Sequence, residues 1–227
     1  MRRVRGYCTC TAQAIRMHDT YKDFAALSAT EPADAFSVSM YEGASRVVVA
    51  APHGGGIEPG TSEIAVAIAG ADLSYYLFEG HKRQGNTVLH ITSSNFDEPR
   101  GLALMRRAAC VVTVHGEASE AETVYLGGLN TSLKSELRAT LERAGYGVRQ
   151  NASLQGLDKR NVCNIGLTGA GVQLELSAGL RRSFFQSLSR AGRAKPTARL
   201  AEFSGIVREA VHGTARASIK SRNGRGT

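Results

Sequence analysis

Two short runs, Val47-Val48-Val49-Ala50-Ala51 and Cys110-Val111-Val112-Thr113-Val114, show almost no alternation of apolar and polar residues. A strand with one face in water alternates, whereas a strand covered on both faces does not. Each run therefore asks for a layer of chain above it and another below it. The first is closed by Pro52 and three glycines and the second by His115-Gly116, so both read as buried strands running into loops. Around them the pattern changes period repeatedly. Thr61 and Ser62 are placed to cap a helix that includes Ile64, Val66, Ala67 and Ile68. Residues 74–78, 87–92, 123–126 and 172–176 read as further strands, and 98–107 as a short helix. Leu133, Leu137 and Leu141 stand at four-residue steps in a helix that Gly145 stops. Leu200, Phe203, Ile206, Val207 and Val211 mark one side of a last amphipathic helix over 198–211. The expected fold is α/β: a single-domain three-layer sandwich, its sheet mixed but largely parallel, with helices on both faces. No internal repeat is visible.

A chain of 227 residues suits one such domain. Residues 1–16 differ in character from the rest of the chain and are expected to be a flexible extension. The domain is expected over 17–212, and 213–227, rich in Gly, Ser, Arg and Lys, to be a disordered basic tail. The net charge of +8 is unevenly spread. Residues 1–16 hold four Arg and no acid, and 181–227 hold eleven basic residues against Glu202 and Glu209. The stretch between has thirteen bases and eighteen acids, so the basic excess lies outside the region that carries candidate chemistry. Basic ends attract polyanions weakly and in a salt-sensitive way, and nucleic acid is not the expected partner. No run approaches a membrane span, Gly6–Ala14 is too polar for a secretory signal, and a cytoplasmic location is expected. Cys8, Cys10, Cys110 and Cys163 form no CxxC. A disulfide framework is not expected, and Cys110 reads as a small buried hydrophobe.

In open α/β sheets, ligands bind beyond the carboxyl ends of the strands. His53 and His115 follow the two buried runs, so parallel neighbouring strands would deliver both imidazoles to one rim. Glu58 lies five residues after His53, across a glycine-rich loop able to fold back on itself. Two His and one Glu form a known ligand set for catalytic zinc. Other readings compete. A histidine at a strand end is commonly a plain surface residue, and His18, His81, His90 and His212 are read that way. The H-G-G-G stretch could serve as an esterase oxyanion loop, but that chemistry needs a nucleophile elbow and no G-x-S-x-G occurs. The glycines match neither phosphate-binding pattern. Glu175, in an apolar strand where a charge is costly unless used, is the candidate acid–base group; the competing reading places it on the solvent side of an edge strand.

The chain resembles the poly-γ-glutamate hydrolases of phages and bacteria, small zinc enzymes with a carboxypeptidase-like fold. The resemblance rests on A-P-H-G-G-G-I-E-P-G-T-S-E at 51–63, L-H-I-T-S at 89–93, F-D-E-P at 96–99, V-H-G at 114–116, Y-L-G-G-L at 125–129 and G-A-G-V-Q-L-E-L-S at 169–177. It implies that His53, Glu58 and His115 hold Zn2+ and that Glu175 is the general base. Asn161-Val162-Cys163-Asn164 resembles a family segment that continues into Arg-Gly, where this chain has Ile165-Gly166. Asn161 and Asn164 are candidate substrate contacts or turn formers, and Arg160 a candidate replacement for the missing guanidinium. The expected activity is zinc-dependent hydrolysis of γ-linked glutamyl amides by a monomer acting on a polyanionic or peptide-like substrate. The alternatives are a zinc amidase or carboxypeptidase acting on another peptide or cell-wall substrate, and a non-catalytic phage- or replication-associated binding protein.

Overall fold

The structure, a computed structural model, describes residues 19–223, with side chains described as far as 213. The expected extension over 1–16 and His18 lie outside the described residues. Among the described residues, seven strands form one sheet: β1 (Phe36–Tyr41), β2 (Val47–Gly55), β3 (Ser74–Gly80), β4 (Cys110–Glu117), β5 (Val124–Gly127), β6 (Val148–Arg149) and β7 (Val172–Ser177). Their order is β1-β3-β2-β4-β7-β5-β6. The four central strands β3, β2, β4 and β7 are mutually parallel, β1 and β5 run antiparallel to their central neighbours, and β6 is parallel to β5. The mixed, largely parallel sheet of the sequence reading is therefore present.

Seven described helices surround it: α1 (Phe24–Thr30), α2 (Thr61–Ala69), α3 (Pro99–Arg107), α4 (Thr131–Arg143), α5 (Ala178–Ser183), α6 (Arg190–Arg193) and α7 (Ala198–Asn223). Alternation along each strand divides the apolar residues between the two faces. Val47, Val49 and Ala51 of β2, Val112 and Val114 of β4, and Val172, Leu174 and Leu176 of β7 pack with Ile64 and Ile68 of α2, the leucine stripe of α4 and Phe203 and Val207 of α7. Val48 and Ala50, Tyr76 and Phe78 of β3 and Val111 pack on the opposite face against Leu27, Leu89, Ile91, Phe96, Leu104 and Met105. The two buried runs have cover on both sides, as their lack of alternation demands.

Several expectations need correction. β2 does not end at Ala51 but continues through Pro52-His53-Gly54-Gly55, with a register irregularity against β3 between Ala51 and Gly54. Thr61 and Ser62 do not cap α2. Gly60, at φ 100°, precedes the helix without a side-chain cap, Thr61 donates back to the Glu58 carbonyl, and the Ser62 hydroxyl accepts from Gly55 N–H. Residues 87–92 are not a strand: 86–89 form a 3-10 turn, fastened by the Asn86 side chain, which bonds both the N–H and the carbonyl of Lys82. α7 runs on to Asn223, past the expected helix end at 211.

The strand order has one functional consequence. β2 is followed by β3 on one side of it and, later, by β4 on the other. Successive connections leave in opposite directions, which opens a crevice above the carboxyl ends of β2 and β4.

Candidate metal centre

His53 lies near the carboxyl end of β2 and His115 near that of β4, and both side chains are buried. The backbone turns back after the glycines, and Glu58 N–H donates to the His53 carbonyl at 2.9 Å, closing the loop that returns the carboxylate to its histidine. His53 Nδ1 stands 3.1 Å from His115 Nδ1 and 3.1 Å from Glu58 Oε1, and His115 Nδ1 stands 3.7 Å from Glu58 Oε2. Three residues separated by up to 62 positions in sequence thus converge on one point.

The contact on the far side of the His53 ring shows where that ring carries a hydrogen. His53 Nε2 lies 2.8 Å from the Ile91 carbonyl, which only accepts, so Nε2 carries the hydrogen. His115 Nε2 faces the Ser93 hydroxyl at 3.4 Å. His53 Nδ1 then faces a carboxylate oxygen and a second ring nitrogen. Acceptors at such distances repel one another unless a proton or a metal cation lies among them. Burial alone would raise the Glu58 carboxyl, but the His53 and His115 imidazoles more than reverse it and hold it below the usual range. Burial alone would lower His115, and Glu175 and Glu58 turn the net shift upward. The donor set fits a divalent ion. Nitrogen and oxygen donors sharing one zinc at ordinary bond lengths stand roughly 3.4 Å apart, and imidazole with a backbone carbonyl behind it is the usual orientation of a ligating histidine.

His90, read from sequence as a surface histidine, belongs to this cluster. Its ring stacks on His53 with centroids 4.0 Å apart, and its Nε2 lies 3.9 Å from Glu58 Oε1. Asp19 accepts from its Nδ1 at 2.9 Å and also takes the Thr92 N–H at 2.7 Å. Burial and the neighbouring His53 bring His90 down to about 4 despite Asp19 and Glu58, so it is neutral near pH 7 with Nε2 free to accept. His53, Glu58 and His90 form a set of donors close enough to share an ion. The cue in the sequence was His90 within L-H-I-T-S, but nothing local distinguishes it from a solvated histidine. His81 bonds Ser37 on the surface, and His212 pairs with Asp72.

Register places Glu175 directly beside His115, since the two are Cα partners across β4 and β7 and point to the same face. Its side chain is buried, which removes the edge-strand reading. Burial pushes the carboxyl up to about 7; His115 and His53 oppose the rise, and Glu58 and Glu117 add to it. Gln173, two residues earlier on the same face, donates to Oε1 at 2.6 Å. Asn161, buried behind Glu175, in turn donates to the Gln173 oxygen at 2.9 Å. Asn164 is committed to backbone: its oxygen accepts from Leu129 and Gly171, and its amide donates to the carbonyls of Gly156 and Asp158. Arg160 is exposed and forked onto Asp158, 2.8 Å from Nη2 to Oδ2. Cys110 and Cys163 are free thiols raised chiefly by burial, to about 11 and about 12, and so are poor nucleophiles.

A doubly covered α/β sheet thus carries a buried His/Glu cluster and an elevated carboxyl at its carboxyl rim, an arrangement that suits a hydrolase. The model of the poly-γ-glutamate hydrolase family matches residues 21–207, and the chain belongs to that family. It is 37% identical over 198 residues to the UPF0714 protein YndL of Bacillus subtilis strain 168, covering 86% of this chain and 78% of that one. It is 40% identical over 172 residues to YmaC of the same organism, covering 74% and 72%. Among solved structures, a bacteriophage poly-γ-glutamate hydrolase superposes with a TM-score of 0.83 at 31% identity, over 87% of this chain and 98% of that one. The zinc-free apo form of YndL superposes with a TM-score of 0.84 at 36% identity, over 87% and 99%.

Proposed function

We propose that this chain hydrolyses γ-glutamyl amide bonds in poly-γ-glutamate or a closely similar polymer, with one zinc ion held by His53, Glu58 and His115. The observation that carries this reading is the convergence of His53 Nδ1, His115 Nδ1 and the Glu58 carboxylate to within 3.1–3.7 Å, with a carbonyl bond behind His53 turning its Nδ1 inward. Held by His53, Glu58 and His115, zinc would supply Lewis acidity to acidify the attacking water and polarise a carbonyl.

The remaining work falls to the chain's own side chains. Glu175 accepts the proton of the attacking water and returns it to the departing amine. Its Oε1 is fixed by Gln173, which leaves Oε2 to carry the proton. A carboxyl near 7 exchanges a proton in either direction at neutral pH without a large free-energy cost. Asn161, through Gln173, keeps that carboxyl from turning away. Since water attacks directly, no acyl-enzyme forms.

Metal analysis of the purified protein is expected to find about one zinc per chain, absent from His53→Ala and His115→Ala. Native protein that neither contains nor takes up zinc would sink this reading. A second substrate, another γ-linked or cell-wall peptide, is favoured by one observation: Ile165 stands where the resembling segment has Arg, and Arg160 is occupied by Asp158. Parallel assays on poly-γ-glutamate and on γ-glutamyl muropeptides separate the two.

A further inference from the structure

Arg181 lies in α5 and is buried, which is costly for a guanidinium. Its hydrogen bonds do not go to a carboxylate. Nε donates to the Leu176 carbonyl at 3.1 Å, Nη1 to that of Pro59 at 2.5 Å and Nη2 to that of Glu117 at 3.0 Å. Those three carbonyls come from three separate segments. Pro59 follows Glu58, Glu117 lies two residues after His115, and Leu176 follows Glu175. The guanidinium also lies flat against Gly116, where an added Cβ would be only 2.6 Å from Cζ. Gly116 N–H is itself the donor that holds Glu58 Oε2, at 2.8 Å.

We propose that Arg181 is a positioning residue: its guanidinium fastens the backbone beside Glu58, His115 and Glu175 and so sets the spacing on which cation affinity depends. The inference rests on the metal reading given above. The Glu58 loop otherwise hangs from a run of glycines, and β4 and β7 end at this rim. A planar fork with donors at fixed angles holds three acceptors in one geometry, which a single ammonium on a flexible stem does not. Tolerances in such sites are about 0.5 Å, so slack in any of the three segments is felt at the donors. Arg181 touches no reacting atom and acts only through the residues it holds.

The test compares Arg181→Lys and Arg181→Met with wild type and with Arg208→Met. Arg208 is a matched control, because its guanidinium likewise clamps carbonyls, those of Ile68 and Ala67 at the end of α2, away from the centre. Zinc affinity is measured by competition with a chromophoric chelator, the absorption spectrum of bound Co2+ is recorded, and circular dichroism follows the fold of the metal-free protein. Both Arg181 variants are expected to lose about 10–100-fold in zinc affinity and to change the Co2+ spectrum. Arg208→Met is expected to melt earlier but to keep both metal readouts. Arg181 variants that are merely less stable, with wild-type zinc affinity and Co2+ spectrum, would overturn the inference. Should Arg181→Met not fold, Arg181→Lys and Gly116→Ala, which displaces the guanidinium, decide by the same two readouts. Wild-type protein that binds neither ion defeats the metal reading itself, and this inference with it.

Discussion

Val47, Val49 and Ala51 point into a layer of helices, whereas Val48 and Ala50, one residue out of step, point towards turns, short helices and the candidate centre. On the helical face the packing is mostly apolar and repeats with the period of its element: α2, α4 and α7 present leucine, isoleucine, valine and phenylalanine to the sheet. On the other face the strands pass from Val111 through Thr113 to His115, and from Gln173 to Glu175, so the packing becomes polar towards the rim. There the cover comes from irregular chain, and the chain's carbonyls and hydroxyls matter as much as its side chains: Ile91 and Ser93 orient imidazoles, and Asp19 orients His90. One face holds the sheet together by apolar burial. The other face joins a fully buried apolar cluster to a set of fixed polar contacts at the rim. A substitution on the first is therefore felt as lost stability, and one on the second as lost chemistry.

Three substitutions probe that division of labour. The largest effect is expected from Glu175→Gln, which should lower hydrolysis about 10²–10⁴-fold while circular dichroism and zinc content stay at wild-type levels. Full activity in this variant would remove Glu175 from the chemistry and leave the looped face without an acid–base group. Next comes Leu137→Ala on the helical face. Leu137 is fully buried in α4, and the change is expected to cost about 2–5 kcal/mol in denaturant unfolding with zinc affinity unchanged in the folded protein. A lost zinc site there would show that the two faces are coupled. The smallest effect is expected from His90→Ala. His90 lies in the same cluster, its Nε2 3.9 Å from Glu58 Oε1, but is not one of the three proposed ligands, and zinc affinity should fall by less than about tenfold. Complete loss of metal would move His90 into the ligand set.

The helical face was legible in the sequence and the looped face only in part, for physical reasons. Periodicity reports burial against a regular partner, so the runs at 47–51 and 110–114, the leucine ladder of α4 and the stripe on α7 could be read directly. His53, Glu58 and His115 were visible because each follows a recognisable strand or its loop. Residues 87–92 misled because Val88, Leu89 and Ile91 carry strand propensity, yet the Asn86 side chain winds the segment into a turn and Leu89 and Ile91 are buried from there. The roles of Asn161 and His90 depend on partners 12 and 71 residues away, and Arg181 reaches a carbonyl 122 residues distant. No local pattern encodes contacts of that reach.

The opposed departures of the chain on either side of β2 bear on how such a protein can diverge. Segments that leave the crevice in opposite directions can lengthen, shorten or change charge independently, while the strand ends beneath them stay still. A hydrolase built this way can change its substrate preference by remodelling the outer loops alone, while the strand ends and the side chains they carry stay in place.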